Sequence, residues 1–125
     1  MNRHSQYAFY GSLMMGMENY ALYEKHLKFL GKVHLEGFKM FSLKLYPYVI
    51  RSSDSNHKIV AELYKVMDVK TEQSIHEMEL EEGYIFSEVE IADDKFGIYM
   101  FESHITDSAE VSSGDWRQYR KLQRF

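Results

Sequence analysis

Two stretches of this 125-residue chain carry residues that could do chemistry: an acidic run over 71–83, TEQSIHEMELEEG, and a glycine-spaced run over 7–20, YAFYGSLMMGMENY. The acidic run reads as a helix that Thr71 caps and Gly83 ends, with Glu72 in its first turn. Ile75 belongs at the centre of a buried face. At about 3.6 residues per turn, Thr71, Met78, Glu79 and Glu82 then share that face, and Glu77 and Glu81 point outward. A carboxylate held beside apolar groups gains proton affinity, which is how a glutamate becomes a useful base near neutral pH. The same pattern also fits Glu79 and Glu82 flanking the face and curling to solvent.

In the other run, Gly11 and Gly16 have the spacing of the two P-loop glycines. A P-loop needs Lys and then Ser or Thr after the second glycine, to reach the phosphates and the metal. Met17 and Glu18 stand there, and Glu18 would repel a triphosphate, which argues against a nucleotide. A strand followed by Gly, Ser and a helix start still presents backbone N–H groups, which suit a carboxylate or another single anion. The alternative is a plain β-to-α turn with Met14, Met15 and Met17 filling gaps.

Other chemistries meet obstacles. The chain has no cysteine, which excludes disulfides, thiolate zinc sites and cysteine nucleophiles. His76-Glu77 begins a zinc-protease H-E-x-x-H, but Leu80 stands where the second histidine belongs. The six histidines show no metal spacing, so no metal is expected. No G-x-S-x-G elbow surrounds Ser12, a poor nucleophile candidate. A net charge of −4 argues against a nucleic-acid partner. No apolar run approaches the roughly 18 residues of a membrane span, and the start, MNRHSQYAFY, lacks a signal-peptide core, so a cytoplasmic protein is expected. The basic run Arg117, Arg120, Lys121, Arg124 reads as a solvated tail or as a contact for an anionic partner. Ten tyrosines suit either a β-rich core or a tyrosine-lined pocket.

The elements that must position these residues follow from pattern and punctuation. The length fits one domain, 1–125. Residues 6–10 read as a buried strand ended by Gly11, and 19–29 as a helix capped by Asn19 with Leu22, His26, Phe29 and Leu30 on one face. Residues 32–43 read as a strand bent at Gly37, and 45–50, with the only proline, as an edge or turn segment. After a turn at 51–56, residues 57–67 alternate as a strand, with Ile59, Ala61 and Leu63 on one face and Val60, Glu62 and Tyr64 on the other. Beyond the acidic helix come strands 84–92 and 95–103 joined at Asp93-Asp94, a polar loop over 104–115, and a closing helix or tail. This order predicts an α+β fold with a mostly antiparallel sheet, open or closed.

Several short motifs in this order resemble the gamma-glutamylcyclotransferase-like family, which includes gamma-glutamylamine cyclotransferases and related bacterial and plant proteins. They are FYGSLMMGMEN, YPYV, VAELYKV, IHEMELEEGYIF, FGIYMFE and SGDWRQY, spread over about residues 7–119. Ile75, Glu79 and Tyr84 take the places of the family's Leu, Glu and following Tyr; His76, Ala61 and Phe86 stand where Asp, Gly and Arg are usual. The resemblance implies a small, mostly antiparallel β-barrel flanked by two to three helices. It implies cyclisation of a γ-glutamyl amide or amino acid to 5-oxoproline and a free amine, without a cofactor. Glu79 would be the general acid/base, with Glu82 the second choice. The loop Tyr10-Gly11-Ser12-Leu13 would hold the substrate's α-carboxylate, and Tyr10, Tyr84 and Tyr99 would line the pocket. The implied partner is a small γ-glutamyl compound, and the protein a monomer or homodimer. The alternative is a non-catalytic member binding a small metabolite or a partner in the same cavity.

Overall fold

A computed structural model describes residues 5–123. The chain runs β1 (Gln6–Phe9), a short α1 (Tyr20–Tyr23) continued by one 3-10 turn (Glu24–His26), β2 (Leu27–Glu36), β3 (Phe38–Ser42), β4 (Pro47–Arg51) and β5 (Lys58–Val66). It continues with α2 (Val69–Glu81), β6 (Ile85–Ile91), β7 (Asp94–Met100), β8 (Ala109–Glu110) and α3 (Trp116–Gln123). The larger sheet has the order β2-β5-β1-β7-β6 and the smaller one β4-β3-β8. Every pair is antiparallel except β1 with β7. The fold is α+β and mostly antiparallel, as expected, with the strands in two sheets rather than one closed barrel.

The chain crosses between the sheets at Gly37, the expected bend. Its φ of 83° is one that side chains resist. Its N–H donates to His57 O and its carbonyl accepts from Ser52 N, so the crossing is hydrogen-bonded on both sides. Proline 47 opens an edge strand, where its missing N–H costs no ladder bond.

Alternation along the large sheet builds two cores. Ala8, Ile59, Ala61, Leu63 and Ile98 face Met40, Val49 and the fully buried Trp116 of α3. Tyr7, Phe9, Tyr64 and Tyr99 face the other way, where Ile75 of α2 packs over them. The buried Ile75 and Thr71 and the exposed Glu77 and Glu81 match the face assigned to that helix.

Four expectations are corrected. The helix expected over 19–29 is helical only to His26, and Leu27 already pairs with Val66. β2 joins β5 from Leu27↔Val66 to Glu36↔Lys58, with an irregularity at Phe29/Gly31. That ladder outweighs a short isolated helix, which is marginal in water; Phe29 and Leu30 are exposed as a result. Asn19 makes no cap bond. Helix α2 starts two residues earlier than expected, because Asp68 is its cap, accepting from Thr71 N and Thr71 Oγ1 at 2.9 Å each. The β6–β7 turn is Ala92-Asp93, both at positive φ, the geometry that matches strand twist in two-residue hairpins.

Gly114 is held most tightly. A Cβ there would lie 2.0 Å from Lys58 O, its φ is +67°, and its carbonyl accepts from Val60 N. Gly114→Ala is expected to destabilise the protein by about 2–5 kcal/mol. Thermal unfolding checks this; an unchanged Tm would contradict it.

Candidate active site

The loop after β1 is a series of tight turns. Met14 N donates to Gly11 O, Met17 N to Met14 O, and Asn19 N to Ser12 O, all at 2.9–3.0 Å. Asn19 Nδ2 donates to Ser12 Oγ at 2.9 Å, so the expected cap residue braces the loop instead. Gly11 passes Pro47 so closely that a Cβ would sit 2.8 Å from the ring. Among the described residues, the Ser12 and Leu13 N–H groups have no protein partner.

Opposite this loop stands α2. Between them lies a cavity of about 140 Å³. All eight residues singled out in the sequence line it: Tyr10, Gly11, Ser12 and Leu13 from the loop, Glu79 from α2, Glu82 at its C-cap, and Tyr84 and Tyr99 from the walls. Asn19, Tyr46, Pro47 and Met78 also line it, with no Lys or Arg. Asn19, Tyr46 and Pro47 had no site role in the sequence. Their place there depends on contacts between distant segments.

Glu79 is half-buried, and Glu82 is exposed. Burial, and then the neighbouring Glu82 charge, push the Glu79 carboxyl up to about 8. The tyrosines differ in what their hydroxyls do. Tyr10 OH donates to Tyr99 O at 2.6 Å, and Tyr84 OH to Pro47 O at 2.5 Å. These two rings are fixed walls, and burial raises both phenols. Tyr99 OH instead bonds His76 Nδ1 at 2.9 Å; burial, and then the Glu79 charge, raise its phenol. His76 and Phe86, two of the three departures from the family pattern, join one aromatic cluster, with Phe86 edge-on to Tyr7, Tyr99 and His76.

The shift at Glu79 carries a stability consequence. The unfolded chain ionises this carboxyl near 4.5, the folded one near 8. Between these values the folded state binds the extra proton, so stability falls as pH rises through that window. Glu79→Gln removes the group that titrates. The variant is expected to gain on wild type by a few kcal/mol, in order of magnitude, between pH 4.5 and 8. Urea denaturation of both proteins across pH measures it; a pH-independent difference would contradict it.

Two further carboxylates are buried, Glu62 and Glu72. By pattern alone Glu62 falls on a strand face without a role, and Glu72 only in the first turn of its helix. Glu72 accepts from Tyr7 OH and Ser5 Oγ. Glu62 accepts from Met15 N, Tyr64 OH and Arg117. A glutamate inside an unbroken apolar strand was the available signal. The basic run is no free tail, since Arg117 pairs with Glu62 and Arg120 with Glu18. Arg124 lies outside the described residues. Among the described residues, no three His, Asp or Glu side chains are grouped to hold a metal ion, and no helix is long and apolar enough to cross a membrane.

A strand-loop-helix cavity with one raised glutamate defines a class that comparison identifies: the chain belongs to the AIG2-like gamma-glutamyl cyclotransferase family, which it matches over residues 7–118. No curated protein matches it. Among solved structures it is similar to the uncharacterized protein PH0828 of Pyrococcus horikoshii, at 29% identity, 94% coverage of each chain and TM-score 0.79. It is also similar to an AIG2-like protein of Mus musculus, at 16% identity and TM-score 0.64, covering 82% of this chain and 80% of that one. At 16% identity and TM-score 0.81 it resembles 22% of the Kluyveromyces lactis allophanate hydrolase chain, with 98% of this chain covered. The last two likenesses concern the fold alone, since one fold serves different chemistries.

Proposed function

We propose that this protein cyclises a γ-glutamyl amide or γ-glutamyl amino acid, releasing 5-oxoproline and a free amine. The reading rests above all on Glu79, a glutamate with raised proton affinity that lines the same cavity as Ser12 and Leu13. Family membership supports the reaction class.

In this reading the loop N–H groups hold the substrate's α-carboxylate, and the tyrosine walls fold the chain so that its α-amine reaches its γ-carbonyl. Well-oriented intramolecular attack has effective molarities of roughly 10⁵–10⁸ M, so folding the substrate is a large part of the catalysis. Glu79, as carboxylate, takes a proton from the α-ammonium. The α-nitrogen then bonds the γ-carbonyl carbon, and the loop donors steady the charge on its oxygen. Glu79 returns the proton to the leaving nitrogen, the carbonyl re-forms as the carbon–nitrogen bond breaks, and the ring nitrogen gives up its second proton, which the departing amine carries away as ammonium. No protein nucleophile takes part. Glu82, more exposed on the same face, raises Glu79 by its charge.

Turnover in ¹⁸O-labelled water tests the reaction class. Cyclisation gives unlabelled 5-oxoproline and amine in equal amounts. Glutamate carrying one ¹⁸O would mean hydrolysis, and ligand binding without product would mean a binding protein.

A further inference from the structure

We infer that α3 is a strap across both loop walls of the cavity, and that Arg120 is a positioning residue that sets how closely those walls meet a ligand. Arg117 and Arg120 lie one turn apart, so both reach the same side of the helix. The fully buried Trp116 anchors that turn, and the Arg120 guanidinium lies over its ring at 5.7 Å.

Each arginine ends at a cavity loop. Arg117 donates to Glu62 Oε2 at 2.7 Å, and Glu62 Oε1 accepts the N–H of Met15 at 2.8 Å. The helix thus holds the 11–19 loop through a buried carboxylate of β5. One nitrogen of Arg120, Nη1, donates both to Glu18 Oε1 at 2.9 Å and to Leu45 O at 3.2 Å. Glu18 belongs to the same loop as Ser12 and Leu13. Leu45 precedes Tyr46 and Pro47, which also line the cavity, Pro47 lying against Gly11. A single guanidinium therefore joins the two walls. Glu18, where a P-loop would carry Ser or Thr, has this use instead.

The fastenings differ in strength. Glu62 is 5% exposed at its side chain, so the Arg117 link is built in; Arg120 and Glu18 are 26% and 44% exposed, so their link is weaker and screened by salt. Neither arginine lines the cavity, so both act on a ligand only through the loops.

Arg120→Ala tests the inference in two ways. Hydrogen exchange of segments 11–19 and 43–47 is expected to quicken roughly 3- to 10-fold, the size of one exposed charge-assisted bond, while the sheet and Tm hold. KM for a γ-glutamyl substrate is expected to rise by a similar factor with kcat nearly unchanged. Glu18→Gln should reproduce part of the effect and add little in the Arg120→Ala background. High salt should loosen the wild-type loops and leave those of the variant as they are. Unchanged exchange in both segments, or a uniform increase along the chain, would overturn the inference. The kinetic arm rests on the cyclotransferase reading, and the exchange arm does not. A wild-type protein without turnover would defeat that reading while exchange still decides the strap.

Discussion

Glu79→Gln is expected to lower kcat for 5-oxoproline formation by about 10²–10⁴-fold, while the protein stays folded and still binds its substrate. The size follows from the loss of one general acid/base group. Glutamine keeps the shape and a carbonyl acceptor but cannot take a proton from the α-ammonium. The fold should tolerate the change, because Glu79 already favours its neutral form, pushed up to about 8 chiefly by burial. The cavity walls keep their anchors, Tyr10 on Tyr99 O and Tyr84 on Pro47 O. Glu82→Gln removes only the second contribution to that rise and is expected to lower the apparent pKa of kcat/KM with a modest change in rate. A full-sized loss at Glu82 with retained activity in Glu79→Gln would exchange their roles.

The second large effect belongs to Glu62, which does no chemistry in this account. Glu62→Ala is expected to cost about 3–5 kcal/mol, because it leaves the Arg117 charge, the Met15 N–H and the Tyr64 hydroxyl without their acceptor. Glu62→Gln should rescue only part: its amide oxygen can still accept from Met15 N, but its NH₂ then faces the Arg117 donor. Urea denaturation gives the numbers. A loss below about 1 kcal/mol for the alanine variant would mean that water or a shifted Arg117 replaces the network.

The fold was legible where local pattern and tertiary context agree. The faces of α2, the break at Gly37 and the alternation of β5 could all be seen in neighbouring residues, since each depends on period and punctuation. The segment 19–29 was misread because its partner, β5, lies about 30 residues away in sequence, and pairing over the length of β2 overrides a weak helical period. Asp68 was passed over for Thr71 because both are good cap residues and only the hydrogen bonds separate them. The cavity was legible from two sources. Helical period brings Glu79 to the inner face, while Glu82, past the helix end, stays exposed at the cavity; the loop across from them comes from family resemblance, since nothing local joins residue 12 to residue 79. The strap was out of reach of both. Its links cross 55 and 102 positions, and a run of arginines with no visible partner reads as a tail.

The most direct measurement is 5-oxoproline release by wild type and Glu79→Gln, side by side, from a panel of γ-glutamyl amino acids, γ-glutamyl amines and glutathione. Wild type is expected to release it from at least one of them and the variant about 10²–10⁴-fold more slowly, with both proteins folded. Equal release by the two would remove Glu79 from the mechanism, and no release by a folded wild type from any substrate would contradict the cyclotransferase reading itself.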